Sequence, residues 1–225
     1  MNKFYCNCKY FDNIDTEEKA YWLGFIFADG WLSLEKSRKQ HRYRFGIELS
    51  KKDAIQLKRF KKAIDSDAII SYRVRDGKNG VKIKLACLRI GNQDFCKRFL
   101  SYFPSGFKSR LIKFPDIAKP LVWHFIRGFF DGDGCISLNR HNRLRLSIKS
   151  NSKQFLVSIQ AIIIEALQNP TAISLYEDQG KLKENNTISY VLVKEHKELT
   201  KKIIQLLYKN ATVFLLRKYQ LAHSR

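Results

Sequence analysis

The sequence predicts an α+β protein built from two repeats, each running helix, two strands, helix, two strands, helix. Three observations carry that expectation. AYWLGFIFADGWLSL, starting at Ala20, has a twin in WHFIRGFFDGDGCISL, starting at Trp123. The same order of alternating and amphipathic stretches follows each copy. Between the halves lies PSGFKSRLIKFPDIAKP, which holds three of the chain's four prolines and reads as a linker. The boundaries drawn are 14–103 for the first repeat, 104–119 for the linker and 120–220 for the second repeat.

The first helix of each half ends in an acid followed by a glycine. Gly24, Ala28, Asp29 and Gly30 match Gly128, Gly132, Asp133 and Gly134 at a constant offset of 104 residues (133 less 29). Asp15 and Glu18 offer a capping box for the first helix, and Pro120 offers an N1 proline for the second. Gly30 and Gly134 stand where a C′ glycine would close each helix in the left-handed region. Gly24 and Ala28 share a helix face, as do Gly128 and Gly132, and small residues at this spacing let two helix backbones approach closely. A carboxylate at a helix C-terminus sits at the negative end of the macrodipole. Two such ends side by side repel, and divalent cations between them remove the conflict. Hard oxygen donors suit Mg²⁺.

After the first motif, RYRFGIELSKKDAIQLKRF reads as an alternating strand, a polar cap at Asp53 and a helix. After the second, RLRLSIKSNSKQFLVSI reads the same way with its cap at Ser152. ISYRVR and VKIKLACLRI give two further strands in the first half, and TAISLYE and NTISYVLV give two in the second. NQDFCKRFLSYF and KELTKKIIQLLYKN read as the closing helices. The alternation in 42–50 sets Tyr43, Phe45, Ile47 and Leu49 against Arg42, Arg44, Glu48 and Ser50. In 143–149 it sets Leu144, Leu146 and Ile148 against Arg143, Arg145, Ser147 and Lys149. One face then packs on helices and the other stays open and basic. Arg73 and Arg75 are expected to continue the open face, as are Lys82 and Lys84. Beyond Ala86 the alternation slips, which suggests a bulge near Cys87.

Lys and Arg number 42 against 21 acids, a formal charge of +21 in a chain of 225 residues that is 44% apolar. An ordered domain with so large an imbalance fits a polyanionic partner, nucleic acid first. No basic amphipathic helix with a clean apolar face supports a membrane surface, and no apolar run approaches the length of a span. The five cysteines are odd in number, and Cys6 and Cys8 lack a second pair or a nearby His for zinc. The start lacks the apolar stretch of a signal peptide, so a reducing intracellular setting is expected. The histidines share no metal-like spacing, the tryptophans read as packing residues, and the N-terminal dozen residues match no motif.

GFIFADG and GFFDGDG, each followed by the same strand and helix order, resemble the two signature helices of a single-chain, two-repeat LAGLIDADG homing endonuclease. The resemblance spans about residues 14 to 220. It implies a pseudo-twofold αββαββα pair with a central two-helix interface at Gly24, Ala28, Gly128 and Gly132. Two antiparallel sheets would form a saddle over duplex DNA. It implies Asp29 and Asp133 as catalytic metal-binding acids, with the carbonyls of Ala28 and Gly132 near the metals. Mg²⁺ is the implied cofactor, with Mn²⁺ substituting and Ca²⁺ binding without supporting cleavage. Double-strand hydrolysis across the minor groove, leaving short 3′ overhangs, would follow. A basic residue near the active site is common in the family, and Lys108, or Arg217 or Lys218 in the tail, could supply it. Where some relatives carry an acid two residues before the catalytic Asp, the second motif has Asp131 and the first has Phe27.

DNA contacts are expected from the open sheet faces: Ser33, Glu35, Arg42, Arg44, Glu48, Ser50, Arg73, Arg75, Lys82 and Lys84 in the first half. Ser137, Asn139, Arg143, Arg145, Ser147 and Lys149 serve the second. These residue types read base edges or hold phosphates. A strand of roughly ten residues spans about 33 Å, so two halves would cover an asymmetric target of about 20 base pairs at ~3.4 Å each. The protein is expected to act as a monomer, inside a bacterium, a phage-infected cell or an organelle. The competing readings are an RNA-binding maturase that assists intron folding and a DNA-binding regulator without catalysis. A regulator would be expected to have lost one or both acids. An intein is disfavoured, because no splicing junction residues are seen.

Overall fold

The computed structural model describes residues 4–36, 41–100, 102–103, 112–141, 143–178 and 188–224. In the first half, α1 (Glu17–Asp29) leads into β1 (Gly30–Lys36) and β2 (His41–Ser50). Then come α2 (Ala54–Ala63), β3 (Ile70–Asp76), β4 (Lys82–Ile90) and α3 (Gln93–Arg98). The second half repeats the order with α4 (Val122–Asp133), β5 (Gly134–Leu138), β6 (Leu144–Ser150), α5 (Lys153–Leu167), β7 (Ser174–Glu177), β8 (Tyr190–Lys194) and α6 (Lys197–Tyr208). A further helix, α7 (Leu216–His223), closes the chain. Each half forms a four-stranded antiparallel sheet, in the order β1-β2-β4-β3 and β5-β6-β8-β7. The predicted α+β fold of two αββαββα repeats is the one found.

The chain forms two compact units, 1–14 with 29–108 and 15–28 with 109–225. Helix α1 up to Ala28 therefore packs within the second unit, although β1, which it leads into, belongs to the first. In the first unit an aromatic cluster fills the space between sheet and helices. Phe45 of β2 stacks with Phe99 and meets Phe95 edge-on, and Phe60 of α2 packs against the same ring. Phe11 joins the cluster through Phe60, Phe95 and Phe99. That gives the N-terminal residues a role the sequence did not reveal: Cys6, Tyr10 and Phe11 are buried. Their backbone is tied down by Asn7 N–H to Ile64 O at 2.8 Å and Tyr5 N–H to Asp67 Oδ1 at 2.6 Å. Full burial of each large apolar side chain stabilises the fold by about 1.5–3 kcal/mol.

In the second unit, Phe125 and Phe129 of α4 and Phe27 of α1 surround Phe155 of α5. Ser152 caps α5 as expected: its hydroxyl accepts from Phe155 N–H and donates to Ile112 O at 2.7 Å. The other capping expectations need correction. Thr16, not Asp15, caps α1, accepting from Lys19 N–H at 3.3 Å, while Asp15 pairs with the Lys19 ammonium. Asp53 makes no side-chain cap; a 3₁₀ turn capped by Ser50 precedes α2. Pro120 sits in a 3₁₀ turn just ahead of α4. Helix α3 ends at Arg98, short of the expected span.

The glycines after the two acids are not left-handed caps. Gly134 has φ −88° and ψ 163° and begins β5 directly, and Gly30 likewise begins β1. Gly134 is glycine for a different reason: a Cβ there would lie 2.1 Å from the Phe130 ring. The bulge expected near Cys87 is absent as well. Pairing runs unbroken through Cys87 to Glu48 on one side and to Ser71 on the other. Among the described residues no helix is long and apolar enough to cross a membrane.

Candidate active site and nucleic-acid interface

The two motif helices meet at their glycines. A Cβ on Gly24 would lie 2.0 Å from Phe125 O and 2.9 Å from Phe129 N. A Cβ on Gly128 would lie 1.9 Å from Tyr21 O and 2.8 Å from Phe25 N. Each contact maps onto the other under the 104-residue offset of the repeat, so the crossing is itself pseudo-symmetric. Only glycine allows backbones this close. Ala28 and Gly132 lie one turn further along, where α1 and α4 emerge from the core, and both are half-buried. Asp29, half-buried, ends α1, and Asp133, exposed, ends α4.

The end of α4 is held by Lys218 of α7. Its ammonium is nearly inaccessible and donates to the carbonyls of Phe130 at 2.7 Å, Gly132 at 3.4 Å and Gly134 at 2.5 Å. A cation there offsets the negative end of the helix dipole, which makes the neighbouring Asp133 tolerable. Of the basic residues anticipated near the acids, Lys218 is held on the backbone carbonyls that flank Asp133. Lys108 lies outside the described residues.

Within the second unit, α4 carries a buried polar network. Asp131 is 1% exposed and accepts from Tyr21 OH at 2.9 Å, Tyr208 OH at 2.7 Å and Leu215 N–H at 2.7 Å. Burial pushes its carboxyl above the usual carboxylate range, and these donors and Lys218 pull it back. Burial, then the Asp131 charge, raises both tyrosines above their ordinary range, so they stay protonated donors. Arg127, fully buried, donates to Leu207 O, Val213 O and Glu17 Oε1, the last at 2.6 Å. Glu17 in turn accepts from Thr212 N–H and Oγ1. Burial works to raise the Glu17 carboxyl, but the Thr212 hydrogen bonds and the Arg127 charge hold it low. The network ties α1, the end of α6 and the segment after it to α4.

No cluster of three or more His, Cys, Asp or Glu able to hold a metal occurs among the described residues. What each motif helix presents is one carboxylate and the carbonyl before it. That all-oxygen donor set fits a hard cation such as Mg²⁺, which takes one or two carboxylates and completes its shell with water and phosphate oxygens.

Each sheet turns one face to its helices and leaves the other open. In the first, Ser33 lies opposite Arg44 and Glu35 opposite Arg42. Register across Glu48, Cys87 and Ser71, and across Leu85 and Arg73, puts Glu48, Ser50, Arg73 and Arg75 on that same face. Glu48 pairs with Arg73 and Glu35 with Arg44. Lys82 and Lys84 are a correction: they lie opposite Asp76 and Val74, on the helix-side face. The apolar run from Leu85 to Leu88 occupies both faces of β4, which hides the phase of the alternation. In the second sheet, Ser137 opposite Arg145 and Ser147 opposite Cys135 define the open face, with Lys149 in phase. Arg143 and Arg145 line a concavity of about 1210 Å³ together with Ser174, Tyr176, Val193 and Glu195.

The family model of the LAGLIDADG-like domain matches residues 121–166, the second motif helix through α5. Solved structures align over nearly the whole chain. I-SmaMI, a LAGLIDADG homing endonuclease bound to cleaved DNA, matches at 13% identity and a TM-score of 0.56, covering 90% of this chain and 85% of that one. I-GzeII, solved with its DNA target, matches at 13% identity and a TM-score of 0.56, covering 90% and 87%. A mesophilic variant of the homing endonuclease I-DmoI matches at 17% identity and a TM-score of 0.57, covering 96% and 99%. The chain has the single-chain, two-repeat LAGLIDADG homing endonuclease fold. A curated relative, the "Probable translation initiation factor IF-2" of Methanocaldococcus jannaschii, is 26% identical over 190 residues. The match covers 83% of this chain, which spans 13% of that protein's length.

Against this LAGLIDADG fold, what the sequence did not disclose is the buried network. Arg127 stands where the first motif has Leu23, and Asp131 where it has Phe27. Both departures from the repeat put a charge into a buried helix, and both find partners far along the chain. Asymmetry between the motifs was the available signal.

Proposed function

We propose that the chain is a site-specific DNA endonuclease that hydrolyses both strands of a long, asymmetric duplex target with a divalent metal. The observation that supports this most is the pseudo-symmetric glycine crossing of two helices that each end in Asp. In this reading Asp29 and Asp133 act as a pair and hold the metal, assisted by the Ala28 and Gly132 carbonyls. When bound, Mg²⁺ supplies Lewis-acid stabilisation of charge on the phosphoryl oxygens. Lys218 fixes the backbone that presents Asp133. The open faces carrying Arg42, Arg44, Arg73 and Arg75, and Arg143, Arg145 and Lys149, hold phosphates and base edges. Their acidic neighbours orient the guanidinium groups; exposed pairs of this kind contribute only about 0–1 kcal/mol each, so they yield readily to DNA. A target of about 20 base pairs and short 3′ overhangs belong to the same proposal.

The test is cleavage of a library of long duplex targets with Mg²⁺, using the intact chain and the variants Asp29→Asn and Asp133→Asn. Defined double-strand cuts are expected from the intact chain. Each variant should lose double-strand cleavage while retaining duplex binding. Full activity in either variant overturns the site assignment, and absence of cutting across a well-sampled library overturns the activity.

A further inference from the structure

Strand β3 forms one margin of the first sheet, and among the described residues no strand pairs with its outer side. Two contacts fix the phase of its backbone. Gly77 N–H donates to Val81 O at 2.8 Å, so Ser71, Arg73 and Arg75, in phase with Gly77, turn their amides toward β4. Gln93 holds both backbone groups of Tyr43 on the β4 side of β2, which gives the same phase through the register of β2 with β4. Ile70, Tyr72, Val74 and Asp76 therefore point their N–H and C=O groups out of the sheet. Their side chains stand on the helix side, where Tyr72 lies opposite Ala86. Helix α2 does not cover them: Tyr72 is 53% exposed, Val74 60% and the neighbouring Ile69 69%. The matching margin of the second sheet, β7, has four residues, whereas β3 has seven. Short edge strands are one way that sheets avoid pairing with other chains, and β3 lacks that protection.

We infer that β3 takes an extended acidic peptide of a partner protein as a fifth strand of the first sheet. In strand addition, main-chain hydrogen bonds supply affinity and alternate side chains supply specificity. Peptide residues opposite Tyr72 and Val74 place their side chains on the helix side, against the exposed apolar surface, and are apolar. Those opposite Arg73 and Arg75 stand on the other face and are acidic. The surrounding charge agrees. Lys58, Lys61 and Lys62 stand at i, i+3 and i+4 on one face of α2 and line a groove with Ile69, Ile70 and Tyr72, where the acid Asp65 stands among them. Among the described residues neither these lysines nor Arg75 pairs with an acid. An acidic run continuing past Ile70 reaches the lysines. A second copy of the chain fits poorly. Antiparallel pairing of two β3 strands would set Arg73 and Arg75 of one against those of the other, between chains of net charge +21 each. The inference does not depend on the cleavage proposed above.

The experiment measures fluorescence anisotropy of a labelled peptide, alternating Glu and Val and ending in an Asp run, on the full chain. Saturable binding is expected. A peptide of the same composition with its alternation scrambled should bind about fivefold more weakly or worse. Methylating the Val amides, which face β3, should weaken binding about tenfold or more, whereas methylating the Glu amides, which point to solvent, should change it less than about twofold. Val74→Pro removes an amide hydrogen that β4 does not use, so the fold should survive while peptide binding falls about tenfold or more. The two methylated peptides test the same pairing on the intact chain, whatever the proline does to folding. K58Q/K61Q/K62Q should weaken binding about fivefold or more. Absence of saturable binding overturns the inference. So does equal binding of the alternating and scrambled peptides, as attraction by charge alone would give, or equal loss on methylating either set of amides. Dimerisation of the chain alone that Val74→Pro abolishes overturns it in favour of a second copy.

Discussion

Substituting Gly128→Ala places a methyl carbon 1.9 Å from Tyr21 O, and Gly24→Ala places one 2.0 Å from Phe125 O. Both neighbours are backbone atoms of buried helices, so no side chain can swing aside. Relief requires α1 and α4 to separate by well over about 1 Å to regain ordinary van der Waals distance. Overpacking costs about 1–3 kcal/mol, and the upper end applies where backbone must move. Alanine returns about 1 kcal/mol over glycine inside a helix, which leaves a net loss of about 2 kcal/mol for either substitution. Because one separation relieves both contacts, the double variant should lose clearly less than the two singles combined. Urea denaturation at matched m-values measures all three. A neutral or stabilising single substitution refutes the close crossing. Additivity within about 0.3–0.5 kcal/mol refutes the claim that both contacts belong to one crossing.

Four further outcomes are expected. Loss of double-strand cleavage with retained binding in Asp29→Asn and Asp133→Asn tests the acids, as set out above. Glu17→Gln strands the charge of Arg127, whose side chain is 0% exposed, and should cost about 3 kcal/mol in the same denaturation assay. His124 is held below its ordinary value of 6.5 by burial and then by the Arg127 charge. The folded state therefore binds fewer protons than the unfolded chain below pH 6.5, so stability present above that pH is lost on acidification. His124→Gln should flatten this limb in melts between pH 7 and pH 5. Duplex affinity should fall linearly in log–log form as salt rises, and R143Q/R145Q should reduce that slope by about 2.

The order of elements was legible because the chain states it twice, and the two motif copies fix one another's boundaries. The open faces were legible in β2 and β6, where Phe45, Ile47 and Leu49, and Leu144, Leu146 and Ile148, alternate cleanly with polar residues. They failed at β4, where Leu85 and Cys87 are apolar on the open side and Ala86 and Leu88 on the other. Periodicity cannot choose a phase there; pairing can. Gly134 was legible as a special position but not for its reason, since crowding by the Phe130 ring leaves no mark in local sequence. Apart from His124, one turn before Arg127, the partners of Arg127 and Asp131 come from Glu17, Tyr21, Leu207, Tyr208, Val213 and Leu215. Such contacts arise only once the chain has folded back on itself, and no local pattern contains them.

Helix α1 has a consequence for anyone wishing to build chimaeras from this scaffold. The sequence invites a cut at the proline-rich linker, treating each motif with its sheet as an interchangeable module. Yet Glu17 and Tyr21, both on α1, complete the buried network of α4 and sit in the second compact unit. A foreign first half joined at the linker would arrive with a helix unable to neutralise Arg127 or donate to Asp131. The graft junction that respects the network falls after Ala28, so that a new sheet is spliced onto the native helix instead of replacing it.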